Sequence, residues 1–195
     1  MKKFIYSFSV ILISLIILFI FYLSTIGIET SKFNNLVVSA IKKEDPNIKI
    51  SLDKIKIKFD AKKIQIYLAT IEPQIIYHDI KIPIKEINLY SKLISILKSK
   101  NEINQAIFNL ENFKVKDFQK IATRIKPSNF KTYLLNNLND GQIEKILIDI
   151  KLGKNLSIKD YKVNGSVKKI NIKLLNDLLI QDMSFNFISD KNLTL

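Results

Sequence analysis

Apolar and polar residues alternate with period two in four separate stretches of the chain: IKISLDKIKIKF (48–59), KKIQIYLAT (62–70), DIKIPIKEINLY (79–90) and VNGSVKKINIKL (163–174). Successive side chains of a strand point to opposite faces, so each stretch reads as a β-strand with one apolar face and one largely basic face. In the first stretch Ile48, Ile50 and Leu52 share one parity, whereas Ile55, Ile57 and Phe59 have the other. A change of phase requires a bulge or a tight break near Asp53-Lys54. DAKK (60–63) predicts a hairpin turn leading into Ile64, Ile66 and Leu68. Pro73 and Pro83 mark strand edges or bulges, because proline cannot donate to a ladder.

Helical spacing replaces the alternation in three places. Thr30 or Ser31 can N-cap a helix in which Phe33, Leu36, Val37, Ala40 and Ile41 recur, and Pro46 closes it. SKLISILKSK (91–100) has the same spacing, and residues 117–139 predict two short helical pieces broken at Lys126-Pro127. Between them QAIFNLENFKV (105–115) returns to strand alternation. Asp140-Gly141 opens a second strand block, in which QIEKILIDIKL turns at GKN into LSIKDYKV. Asn164-Gly165 predicts a further turn or bulge. MSFNFISDKNLTL alternates again up to Leu195 without a polar tail, and we expect the chain to be a piece of a longer protein.

The N-terminus has a different character. After Met1-Lys2-Lys3, residues 4–28 carry no charge. At roughly 1.5 Å per residue such a helix exceeds the ~30 Å hydrocarbon core of a bilayer. A cleaved signal peptide has an apolar stretch of only about 7–15 residues and a small-residue cleavage site. Here the stretch is longer, and Thr25-Ile26-Gly27 is a poor cleavage site. We read an uncleaved signal anchor, with Lys2 and Lys3 keeping the N-terminus cytoplasmic. The bulk of the chain then lies in the periplasm of a two-membrane bacterium, anchored in the inner (cytoplasmic) membrane by a single pass.

Composition narrows the chemistry. The net charge of +13 would fit a nucleic-acid binder. However, the lysines are spread singly along strands, and Ile, Lys and Asn are favoured everywhere, as an AT-rich genome would produce. Arginine, the usual bidentate reader of phosphate and guanine, occurs once, at Arg124. We expect no nucleic-acid partner. The chain has no cysteine, which removes disulfides, thiol catalysis and thiolate metal sites. The four glycines are too dispersed for a phosphate loop, and neither G-x-S-x-G nor H-E-x-x-H occurs. The single histidine, His78, adjoins Asp79, but strand neighbours point to opposite faces, so the pair reads as a strand or turn feature. The sequence offers no catalytic residues, metal site or cofactor site, and we expect no enzyme.

The anchor, the helix SKFNNLVVSAIKK, and then IKISLDKIKIKF, IQIYLATIEPQIIY and IPIKEINLYSKLISILKSKNEI resemble the N-terminal part of AsmA-like proteins. DGQIEKILIDIKLGKNLSIKDYKVNGSVKKINIKL looks like the repeating unit of the larger, YhdP/TamB-type members. The resemblance spans most of 30–175 and consists of apolar spacing with few fixed residues. It implies an α+β, mainly β fold: a transmembrane helix, then a curved, largely antiparallel sheet forming an elongated β-groove, with short flanking helices. The expected organisation is an anchor at 1–28, an α+β AsmA-like region at 29–139, and a β-rich repeat-like region at 140–195. The implied function is non-enzymatic phospholipid transport between the membranes and outer-membrane maintenance. The implied partners are membrane lipids, with other envelope proteins as further partners.

The resemblance maps a face and no catalytic group. The lipid-groove candidates are Ile48, Ile50, Ile55, Ile57, Ile64, Ile66, Ile82, Ile84, Ile148, Ile150, Ile170 and Ile172. A one-sided apolar sheet must bury that side on another layer or keep it as an exposed patch. Packing against the predicted helices would make an ordinary core, and an uncovered face would make a lipid trough. A second class of function, an envelope assembly factor or scaffold that pairs its strand edges with client β-strands, is also compatible with the pattern.

Overall fold

The computed structural model describes residues 2–31, 34–35, 38–39, 47–97, 102–124, 132, 136–153, 157–173 and 178–190. Helix α1 (Lys2–Thr25) is followed at once by β1 (Ile28–Thr30), and then by β2 (Ile48–Ser51), β3 (Lys54–Asp60), β4 (Gln65–Ile71), β5 (Gln74–Tyr77), β6 (Ile80–Ile82) and β7 (Ile84–Lys92). The short α2 (Leu93–Leu97), β8 (Gln105–Lys114) and α3 (Val115–Arg124) come next. Three long strands complete the order, β9 (Leu138–Leu152), β10 (Ile158–Lys173) and β11 (Leu179–Asp190). The chain is therefore mainly β, with an apolar N-terminal helix and short flanking helices.

Among the described residues the strands form two antiparallel sheets. The large one has the order β1-β3-β4-β7-β8-β9-β10-β11, and the small one β2-β5-β6. The two orders contain a common meander. Strands β2/β3, β4/β5 and β6/β7 are three ribbons, each of which leaves one sheet and enters the other. The crossings are at Leu52-Asp53, at Glu72-Pro73 and at Pro83, so the meander folds over along one line that cuts all three ribbons. The phase change expected near Asp53-Lys54 is this fold line. The chemistry fits: Glu72 has a left-handed φ of 43°, and both prolines fall where no ladder donor is required. The Asn34 side-chain amide donates to the carbonyls of Leu52 (2.9 Å) and Asp53 (2.8 Å), satisfying backbone groups freed by the crossing.

Folding the meander over lays the row Ile50–Ile75–Ile82 of the small sheet onto the large one. Ile50, Leu52 and Ile75 pack with Ile55 and Ile87 as one buried cluster; Ile55 is fully buried and Ile87 is 1% exposed. A second cluster joins Leu110, Phe113, Val115, Ile143, Ile146, Val167 and Ile170, with Phe118 and Ile121 of α3 packed against it. Ile82, Ile84 and Phe108 touch both clusters, making one continuous core. The sheet also runs unbroken through residue 140, since β8 and β10 both pair with β9.

Several sequence expectations are met with differences. Asn164-Gly165 is not a turn. Both residues sit in mid-ladder, Gly165 between Ile146 and Phe187, and a Cβ there would lie 2.2 Å from the Phe187 ring. The glycine makes room for the aromatic of the next strand. The irregularity comes later, at Val167–Ile170, where Lys169 takes a φ of 52°. His78-Asp79 forms the two-residue hairpin loop between β5 and β6, both with positive φ, as a type I′ turn requires. The helix predicted at 31–43 is described only in part, and the second piece expected in 117–139 lies largely outside the described residues.

Candidate functional site

Cross-strand registers show how the apolar face is built. Ile57, Leu68, Leu89, Ala106, Ile150 and Tyr161 stand opposite one another in sequence across six neighbouring strands. One step along the strands, Ile55 faces Thr70, and Phe108, Ile148 and Val163 continue the next row from Ile87. Thr70 is polar on this face but accommodated, because its hydroxyl accepts from the Ile87 amide at 2.9 Å. The opposite face carries Lys54, Lys56, Lys58, Glu86, Asn88, Asn109, Lys145 and Asp149. It also carries two tyrosines, Tyr67 and Tyr90, stacked at 4.8 Å.

The strands have two distinct ends. The fold line and α3 mark the distal end, where the small sheet and α3 cover the large one. At the other, proximal end the pairings Asp60–Gln65, Gln65–Lys92, Tyr90–Gln105, Gln105–Lys151 and Lys151–Asp160 bring six strand ends close together. Helix α1 joins here. It ends in a left-handed Gly27 (φ 78°), whose amide and that of Ile26 both donate to the Tyr22 carbonyl. A Cβ on Gly27 would lie 2.8 Å from the Ile57 carbonyl oxygen, so the helix end is pressed against β3. Glu29 of β1 then pairs with Lys56 (3.2 Å) and Lys54 (3.4 Å), and their hydrogen bonds hold its carboxyl below the usual glutamate range.

The twelve candidate isoleucines divide along this axis. Ile50, Ile55 and Ile170 are buried in the core clusters. Ile48, Ile82, Ile84, Ile148 and Ile172 are half-buried and packed against them. Ile57, Ile66 and Ile150 are half-buried near the proximal end and belong to neither cluster. With Phe59 and Tyr161 they form an apolar strip beyond the reach of the small sheet. Ile64 is off the face altogether. It closes the β3–β4 loop at a φ of 52° and is 61% exposed, so β4 begins at Gln65. The loop is bent by the Asp60 carboxylate, which accepts from the Lys62 and Lys63 amides, and this puts Ile64 out of strand phase.

Two clefts adjoin this framework. One of about 570 Å³ lies at the distal end between the His78 turn and α3, lined by Lys116, Gln119, Lys120 and Thr123. Lys120 is paired with Asp117 at 3.0 Å. The other, of about 300 Å³, lies where α1 meets the β3–β4 loop, between Ser24, Phe59–Lys62, Tyr67 and Tyr90. Lys63 holds its ammonium 5.4 Å from the centre of the Tyr90 ring. Burial first, then the neighbouring Tyr67 and the carboxylates of Asp60, Glu86 and Asp149, push the Tyr90 phenol up to about 12.

Residues 3–25 form the one helix, among those described, long and apolar enough to cross a membrane; its most apolar window has a mean hydropathy of 2.8 and is not buried by the protein. No group of three or more His, Cys, Asp or Glu side chains is placed to hold a metal among the described residues. Comparison with protein-family models, characterised proteins and solved structures gives no match.

Proposed function

We propose that this chain is an inner-membrane-anchored periplasmic protein that takes part in phospholipid transport and outer-membrane maintenance, holding acyl chains on its apolar β-face. The observation that carries the reading is the graded face: a closed core distally, and an apolar strip of Ile57, Phe59, Ile66 and Ile150 at the end where the apolar helix emerges. An acyl chain gains roughly 0.8 kcal/mol per buried CH₂, so such a strip holds lipid without a specific polar partner. Lys2 and Lys3 favour a cytoplasmic N-terminus and hence a periplasmic sheet. The AsmA-like spacing of the strands points the same way.

A second reading has its own observation. Strand β11 is an edge of twelve residues without a lysine, and Leu179, Phe185 and Ile188 are exposed on it. Edges of this kind are templates for an added strand, which suits an assembly factor that binds client β-strands.

Native mass spectrometry of the full chain purified from cells separates the two. The transport reading expects co-purifying phospholipid, strongly reduced by Ile150→Asp without loss of the cooperative melt. A wild-type chain free of lipid, or an Ile150→Asp chain as loaded as wild type, contradicts it; a lipid-free chain that captures strand peptides favours the second reading.

A further inference from the structure

Among the described residues, exposed large apolar side chains occur on α1 and on through Ile26 to Ile28 of β1, in and just before the edge strand β11, and as three isolated isoleucines. Those three, Ile64, Ile94 and Ile158, are 61%, 65% and 63% exposed. Far apart in sequence, they belong to three different places: the β3–β4 loop, α2, and the first residue of β10. Register places all three at the proximal end of the sheet. Asp60–Gln65 closes the first connection, Lys92 is the residue before α2, and Ile158 pairs with Leu152 where β10 begins. The five strands from β4 to β10, at about 4.8 Å spacing, separate the first from the last by about 19 Å.

Helix α1 leaves the sheet at this same end. Among the described residues its coverage by the rest of the protein begins in the last turn, where Leu23 and Ser24 are half-buried and Ser24 lines the cleft against the β3–β4 loop. Residues 4 to 22 are exposed, and apolar throughout apart from small polar side chains and tyrosines. A bilayer crossed by α1 therefore begins within one helical turn of the β3–β4 loop. The loop itself has an interfacial composition: an exposed isoleucine, two lysines and, behind it, two tyrosines. Lysine stems cover apolar surface while their ammonium groups reach headgroup phosphates.

We infer that the proximal end of the sheet is a second membrane contact, resting on the bilayer surface with Ile64, Ile94 and Ile158 in the headgroup–acyl boundary and Lys62, Lys63 and Lys92 among anionic headgroups. The occupant of these isoleucines is a lipid surface. The contact sets the strands upright on the membrane, so the strip containing Ile57, Ile66 and Ile150 opens at lipid level. The inference rests on α1 crossing the membrane, and it adds a docked sheet to a simple tether.

The absence of cysteine makes the test clean. Single-cysteine variants of the full chain, Ser14→Cys, Ile64→Cys, Ile94→Cys, Ile158→Cys and the distal Lys81→Cys, are labelled with an environment-sensitive fluorophore. They are reconstituted in phosphatidylglycerol–phosphatidylcholine nanodiscs containing nitroxide lipids. Labels at 64, 94 and 158 should be blue-shifted and quenched by a headgroup or shallow-chain nitroxide, the label at 14 by a deep-chain nitroxide, and the label at 81 by neither. Labels at 64, 94 and 158 as water-exposed as that at 81, with 14 deeply quenched, overturn the docked sheet and leave the anchor standing. An unquenched label at 14 overturns the anchor and the docking with it. Quenching at all three sites that persists after exchange into pure phosphatidylcholine keeps the isoleucine contact and removes the lysine–headgroup part.

Discussion

At the scale of single residues, position along a strand decides what an isoleucine does. Ile55 and Ile57 are two residues apart on one face, yet Ile55 is sealed under the folded-over meander and Ile57 lies beyond it. Tyr90 shows the other face to be more than a solvated surface. Its ring is stacked on Tyr67 and its phenol is held neutral by burial up to about 12, against an ordinary value of 10.0. A group whose folded pKa is raised contributes stability that is complete below its unfolded pKa and is lost as pH rises through the folded one. The structure should therefore weaken between about pH 10 and about pH 12, with phenolate absorbance showing one tyrosine titrating last. Tyr90→Phe should abolish that late step. A wild-type titration in which every tyrosine has its midpoint near pH 10 would contradict the buried stack.

At the scale of elements, the meander that folds over on itself is the unit that makes the core. Ile87 sits at its centre, 1% exposed, between the small sheet and Phe108 of the next strand. Ile87→Ala should cost about 2–5 kcal/mol in urea unfolding, the range for emptying a well-packed site. Ile57→Ala, outside both clusters, should cost clearly less; equal losses would mean that the strip is core too. Much of this was legible in the sequence. Period-two alternation found the strands, and the phase change at Asp53-Lys54 with Pro73 and Pro83 marked the fold line. That the three marks line up across neighbouring ribbons was not legible, because pairing such as β4 with β7 is set by tertiary contacts and not by local pattern. Asn164-Gly165 reads as a turn or bulge because asparagine-glycine usually makes one; the ring of Phe187, on a strand some twenty residues later, gives the glycine its actual reason. Ile64 has the strand parity of Ile66, and only the Asp60 carboxylate, which bends the loop around it, puts it off the strand.

At the scale of the whole molecule, the chain is polarised from end to end. The distal end is closed by the small sheet and α3. The proximal end carries the apolar helix, the exposed isoleucines and the half-buried strip. The sequence pattern located the apolar helix and the apolar face separately; only the strand registers put the half-buried part of the face next to that helix. The buried isoleucines of the apolar face, Ile50, Ile55 and Ile170, have their place in stability, and the proposed lipid contact falls to Ile57, Ile66 and Ile150. The most direct measurement is photo-crosslinking in living cells from a diazirine amino acid placed at Ile150, with the exposed distal Lys81 as control. The account predicts a phospholipid adduct on the chain at position 150 and none at position 81. No adduct at 150, or equal adducts at both, would contradict it.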